Sequence, residues 1–152
     1  MKNRRILTLI IVVVFVLTTL TYSGSKNQSL PVARAEVQVK INNKEVKCQT
    51  GDDGHFGLYF SDINSIQTMG PDINVFFTVR PPKNFRQKVQ DKRAFIRVSK
   101  SEGPYFELVL LFNPETGKFH IERDLSVKST FKRDKGDATK VGDKYMGTVA
   151  HF

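Results

Sequence analysis

Hydrophobic positions along this chain follow three spacings, and each predicts a different kind of segment. From Ile6 to Leu20 (ILTLIIVVVFVLTTL) the run is uncharged and apolar on every side, unlike a helix that buries only one face. From Glu36 onward, apolar residues recur at every second position, the period of strands with one buried face. Between Lys83 and Arg93 (KNFRQKVQDKR) the apolar residues Phe85 and Val89 stand four apart, which predicts one or two helical turns.

The two-residue period divides into strands at its turn signals. Val37, Val39 and Ile41 alternate with Gln38 and Lys40, and beyond Asn42-Asn43 the residues Val46 and Cys48 alternate with Glu45, Lys47 and Gln49. This is a β-hairpin turned at residues that tolerate positive φ. Phe56, Leu58 and Phe60 mark a third strand after Gly51-Asp52-Asp53-Gly54, and Ser61 to Asp72 reads as a loop. Ile73 to Arg80 (INVFFTVR) is apolar on both sides around Phe76 and Phe77, which predicts a central strand covered from two sides. Pro81-Pro82 ends it, and a short helix is expected over 83–92.

Ala94, Ile96 and Val98 then face inward, and Tyr105 to Phe112 (YFELVLLF) is the best candidate for the middle of a sheet. Asn113-Pro114-Glu115-Thr116-Gly117 has the composition of a turn and leads to Phe119 and Ile121, giving a second hairpin. Leu125, Val127 and Phe131 suggest a further strand, 132–143 a polar loop, and Tyr145 to Phe152 a last strand. About eight or nine short strands with frequent turn signals predict an all-β domain, an antiparallel sandwich or barrel.

The apolar opening decides the compartment. Lys2, Arg4 and Arg5 precede it, so the start of the chain stays in the cytoplasm and the remainder is delivered outside. As a helix, Ile6 to Ser23 would span about 27 Å, just short of a comfortable hydrocarbon crossing. Residues 1–23 are therefore read as a signal peptide or membrane anchor, 24–35 as a flexible linker and 36–152 as an exported β-domain, whether secreted, periplasmic or anchored facing outward. Ala33-Arg34-Ala35 has the small-x-small form that signal peptidases accept, and cleavage there would leave Glu36 first. Thr21-Tyr22-Ser23 is a nearer but poorer site, and an uncleaved anchor is the third possibility.

Charge changes this picture little. The net charge is +9, but five of the 24 Lys and Arg precede Glu36 while none of the 15 acidic residues does. A mildly basic exported domain remains, suited weakly to anionic lipid or polysaccharide, and no nucleic-acid reader motif is present. Cys48 is the single cysteine, so no intrachain disulfide forms and the core must hold the fold alone. Its alternating apolar setting is that of a small buried hydrophobe.

No motif in the chain is specific enough to name an activity. Ser129-Thr130-Phe131-Lys132 has the Ser-x-x-Lys spacing of certain acyl-enzymes but lies in strand-like sequence, where a lysine does not activate the serine as it does on a helix. Asn113 to Gly117 resembles a wall-sorting pentapeptide yet is followed by a strand, so the turn reading prevails. Asp52, Asp53, Asp62 and Asp72 match no calcium loop, and His55, His120 and His151 are scattered, so no metal or cofactor is expected. The candidate binding group is Lys83, Phe85, Arg86, Lys88, Lys92 and Arg93, a basic stretch suited to lipid head groups or acidic polysaccharide. The leading expectation is a non-catalytic exported domain that binds a partner protein or an anionic surface polymer or lipid. A barrel holding an apolar ligand among its 12 Phe and 4 Tyr is the second, and a hydrolase whose site assembles only in space the third.

Overall fold

A computed structural model describes residues 28–126, 140–141 and 144–152. The apolar leader, the Ser129 to Lys132 motif, the expected strand residues Val127 and Phe131 and most of the 132–143 loop lie outside them. The described chain is mainly β: β1 (Leu30–Pro31), β2 (Glu36–Ile41), β3 (Lys44–Gln49), β4 (His55–Tyr59), β5 (Asp72–Arg80), β6 (Arg93–Ser99), β7 (Tyr105–Asn113), β8 (Lys118–Arg123), β9 (Lys140–Val141), β10 (Lys144–Tyr145) and β11 (Val149–His151). Its helical turns, Ile63–Ser65 and Lys100–Glu102, are each three residues of 3-10 helix.

Two sheets share one core. The four-stranded sheet has the order β3-β2-β5-β6, antiparallel throughout, and the Asn42-Asn43 turn joins β2 to β3 with Asn42 at φ 50°. In the five-stranded sheet β7 is central, with β8 on one side and β4 and β1 end to end on the other. Leu110 links those two, its N–H donating to the Gly54 carbonyl and its carbonyl accepting from Val32. β11 lies beyond β4 and runs parallel to it, a correction to the all-antiparallel expectation. Gly147 bridges Thr50, and Thr148 hydrogen-bonds Gln49 through both backbone and hydroxyl, so the returning chain is tied to the end of β3 before it reaches β4. That attachment fixes the direction in which β11 runs.

Alternation fills the interior from both sides. Val37, Val39, Ile73, Val75, Phe77, Val79 and Val98 point inward from one sheet, and Phe56, Leu58, Leu108, Leu110 and Phe112 from the other, all essentially inaccessible to water. Phe56 meets Phe77 edge-on at 6.0 Å between ring centroids, and Phe60 meets Phe106 at 6.0 Å. Edge-to-face rings of this kind add to the burial term.

Three further expectations are corrected. The short helix over 83–92 is absent, because its backbone finds partners elsewhere: Lys92 accepts from Val79, Gln90 donates to Gly117, and Asp91 forms a bridge with Lys118. Two apolar residues among nine polar ones cannot outweigh those bonds. β5 is covered on one side only, since Asn74, Phe76, Thr78 and Arg80 face solvent. The domain also begins before Glu36: Val32 and Ala35 are buried, and the Thr50 hydroxyl donates to the Val32 carbonyl at 2.7 Å while accepting from Ala35 N–H at 2.8 Å. Part of the supposed linker, with the Ala33-Arg34-Ala35 motif, is therefore built into the fold.

Candidate functional site

The outer face of the four-stranded sheet is a grid whose rows follow from the register. Lys40, Phe76 and Phe95 stand side by side across β2, β5 and β6. The next row toward one end holds Asn74 and Arg97, and the next toward the other holds Gln38, Thr78 and Arg93. Phe76 and Phe95 are 54% and 49% exposed, with ring centroids 5.2 Å apart, so two large apolar side chains form one patch open to water. A paired aromatic patch on a sheet face is an informative exposure, whereas single exposed apolar residues are not.

The cations around this pair differ in how they are held. Arg80 and Lys47 both reach Glu36, at 3.3 and 3.6 Å, and Arg93 grips Asp91 through two contacts of 3.0 Å. That grip holds the Asp91 carboxyl down at about 2. Lys40 and Arg97, which flank Phe76, have no carboxylate within ion-pair distance among the described residues; Arg97 touches only the Asn74 amide oxygen, at 3.4 Å. A shallow hollow of about 960 Å³ opens beside them, lined by Lys40, Asn42, Met69, Asn74, Phe76 and Arg97. Its outer wall is the loop before β5, fastened by Asn42 to the Gln67 carbonyl and by Lys100 to the Ile66 carbonyl, with Met69 at the tip fully exposed.

The expected binding residues separate. Phe85 is half-buried against the five-stranded sheet, 5.1 Å from Phe112 on β7 and 6.0 Å from Phe119 on β8 between ring centroids, so it holds its loop in place. Lys83, Arg86 and Lys88 are exposed on that loop. Lys92 and Arg93 lie at the rim of the sheet face, Lys92 beside a second hollow of about 240 Å³ with Gln38, Thr78 and Arg80. Sequence reasoning missed the Phe76 and Phe95 pair. The signal was the company each keeps: Phe76 falls in phase with Asn74, Thr78 and Arg80, and Phe95 with Arg93 and Arg97.

The other outer face is organised differently. The Tyr105 hydroxyl donates to Glu107, which is only 6% exposed, and the Tyr59 and His151 rings meet edge-on at 5.4 Å between centroids. His55 lies between Asp53 and Asp124, at 3.1 and 3.0 Å. Hydrogen bonds from Ser126, then the one from His55, hold the Asp124 carboxyl below its ordinary value. The three histidines have separate partners, His120 standing 3.4 Å from Glu122. Asp52 receives Tyr145 N–H and the Arg34 guanidinium, Asp62 caps a helical turn, and no metal-holding cluster occurs among the described residues. Burial pushes the Cys48 thiol up to about 12, so it stays protonated and unreactive. Compared with protein-family models, with curated proteins and with solved structures, the chain matches none.

Proposed function

We propose that this is an exported, non-catalytic binding domain, a two-layer β-sandwich that takes an anionic surface polymer on the outer face of its four-stranded sheet. The observation that carries the reading is the exposed Phe76 and Phe95 pair flanked by Lys40 and Arg97, two cations without a carboxylate partner among the described residues. Sugar rings present apolar C–H faces that settle on aromatic rings, and their acidic substituents meet ammonium and guanidinium groups; Asn74, Thr78 and Gln38 supply hydrogen bonds to hydroxyls. The export half of the reading rests on the basic residues and apolar run that open the chain. A core filled by Phe56, Phe77, Phe60 and Phe106 favours this reading over a barrel that holds an apolar ligand.

The test is titration of the full chain, in detergent micelles, with polygalacturonate and with neutral dextran. Polygalacturonate should bind in a salt-dependent manner and dextran should not. Replacing Phe76 and Phe95 together by Ala should weaken binding by about tenfold or more, and replacing Lys40 and Arg97 by Gln should both weaken it and flatten its salt dependence. Binding left intact by both double variants, or equal affinity for dextran, would overturn the site. A surface protein captured through the same four residues would keep the face and replace the polymer.

A further inference from the structure

We propose that the end of the domain at which the chain enters the fold lies against an anionic lipid surface. β1 pairs Leu30 with Phe112, so the chain preceding Leu30 leaves beside the Asn113 to Gly117 turn. The Phe112 ring contacts Phe85, and Gln90 donates to the Gly117 carbonyl at 2.7 Å, which puts the basic loop at the same end. Lys83, Arg86, Lys88 and Lys118 are all exposed there, together with Leu30 at 40%. Of the acidic residues nearby, Asp91 is occupied by Arg93, and Glu115 lies in the turn, so cations predominate.

The length of chain outside the fold gives this end its occupant. Because β1 starts at Leu30, only Thr21 to Ser29 separate the Ile6 to Leu20 run from the domain, and nine residues reach at most about 30 Å even when fully extended. A domain on so short a tether must present one end to the bilayer, and the end it presents is the basic one. Exposed Lys and Arg within about a Debye length of anionic head groups are attracted to them. The sheet-face hollow beside Asn42, Met69 and Asn74 lies toward the opposite end of β5, about 25 Å away at ~3.3 Å per residue, and stays clear of the membrane. The proposal rests on Ile6 to Leu20 remaining in the chain as an anchor and is independent of what binds Phe76 and Phe95.

The test uses the full chain reconstituted into vesicles of phosphatidylcholine, alone or with about one part in four phosphatidylglycerol. Cys48 is buried, so Gln87→Cys and Met69→Cys each give one reactive site for a fluorophore, one at each end. With a quencher on the lipid head groups, quenching at position 87 should exceed that at 69 by about twofold or more in anionic vesicles. That gap should narrow without phosphatidylglycerol and in a Lys83→Gln, Arg86→Gln, Lys88→Gln variant. Equal quenching at both positions, or a gap indifferent to lipid charge and to the triple variant, overturns the proposal while leaving the polymer site untouched. A full chain that fails to associate with either vesicle overturns it together with the anchor.

Discussion

The two sheets are assembled by opposite means. The four-stranded sheet comes from the β2–β3 hairpin and the β5–β6 pair joined through β2 and β5, and its outer face leaves aromatic rings and two cations open. The five-stranded sheet gathers β1 and β11 from distant parts of the chain around β4 and β7, and its outer polar groups face one another: Tyr105 with Glu107, Tyr59 with His151, His55 with Asp124. A face that satisfies itself contributes to stability, whereas a face that does not is free to meet a ligand. The division of labour is therefore open to test by perturbing each sheet and asking which property fails.

The largest effect should follow from removing the residues before Glu36. Such a chain loses β1, the buried Val32 and Ala35, and the partners of the Thr50 hydroxyl. A loss of roughly 3–5 kcal/mol in urea unfolding relative to the longer chain is expected from two vacated core positions and an orphaned buried hydroxyl. An equally stable shortened domain would mean that the five-stranded sheet does not need its first strand. The same observation speaks against cleavage after Ala35: N-terminal sequencing of the native protein should not find a start at Glu36.

Next comes Gly57, at the centre of the self-satisfied face. A Cβ there would lie 2.8 Å from Val149 Cγ2 and 2.9 Å from the Tyr105 hydroxyl, so Gly57→Val must push Tyr105 away from the buried Glu107. About 2–4 kcal/mol of destabilisation is expected from that overpacking and the broken contact. Thr78→Val, on the open face, should change stability by no more than about 0.5 kcal/mol. Comparable losses at the two positions would erase the distinction between the faces. Phe76→Ala with Phe95→Ala should likewise lower stability by under about 1 kcal/mol in thermal unfolding, well below the Gly57→Val loss, while the proposed polymer binding weakens by about tenfold or more. A large drop would assign the pair to the fold.

What was legible in the sequence was whatever local spacing dictates. The hairpin at Asn42-Asn43, the turn at Asn113 to Gly117, where Gly117 has φ 66°, and the inward sets of β2, β6 and β7 all follow from local spacing. What was not legible depended on partners far away in the chain. Val32 and Ala35 look like linker until Thr50 is seen to hold them, and Phe85 and Val89 look helical until Gly117 is seen to take the backbone of their loop. The open face was misread because Phe76 adjoins Phe77, and adjacency hid the fact that alternate residues point to opposite sides.

That same loop supplies the smallest expected effect. Asp91 is anchored by two contacts from Arg93 and by the backbone bridge to Lys118, and the Arg93 guanidinium, through its hydrogen bonds, lowers the carboxyl from 3.8 to about 2. A carboxyl whose folded value lies below its unfolded one stabilises the fold fully above the unfolded value and loses that contribution as pH falls through the folded one. The stability difference between wild type and Asp91→Asn should therefore be constant above about pH 5, shrink from about pH 4 down through pH 2, and vanish below that. Because the pair is exposed to solvent, the difference should be small and should fall further in high salt. A difference that stayed constant down to pH 2 would show that Asp91 acts through its backbone bridge, leaving the seam beside β8 indifferent to the charge on its side chain.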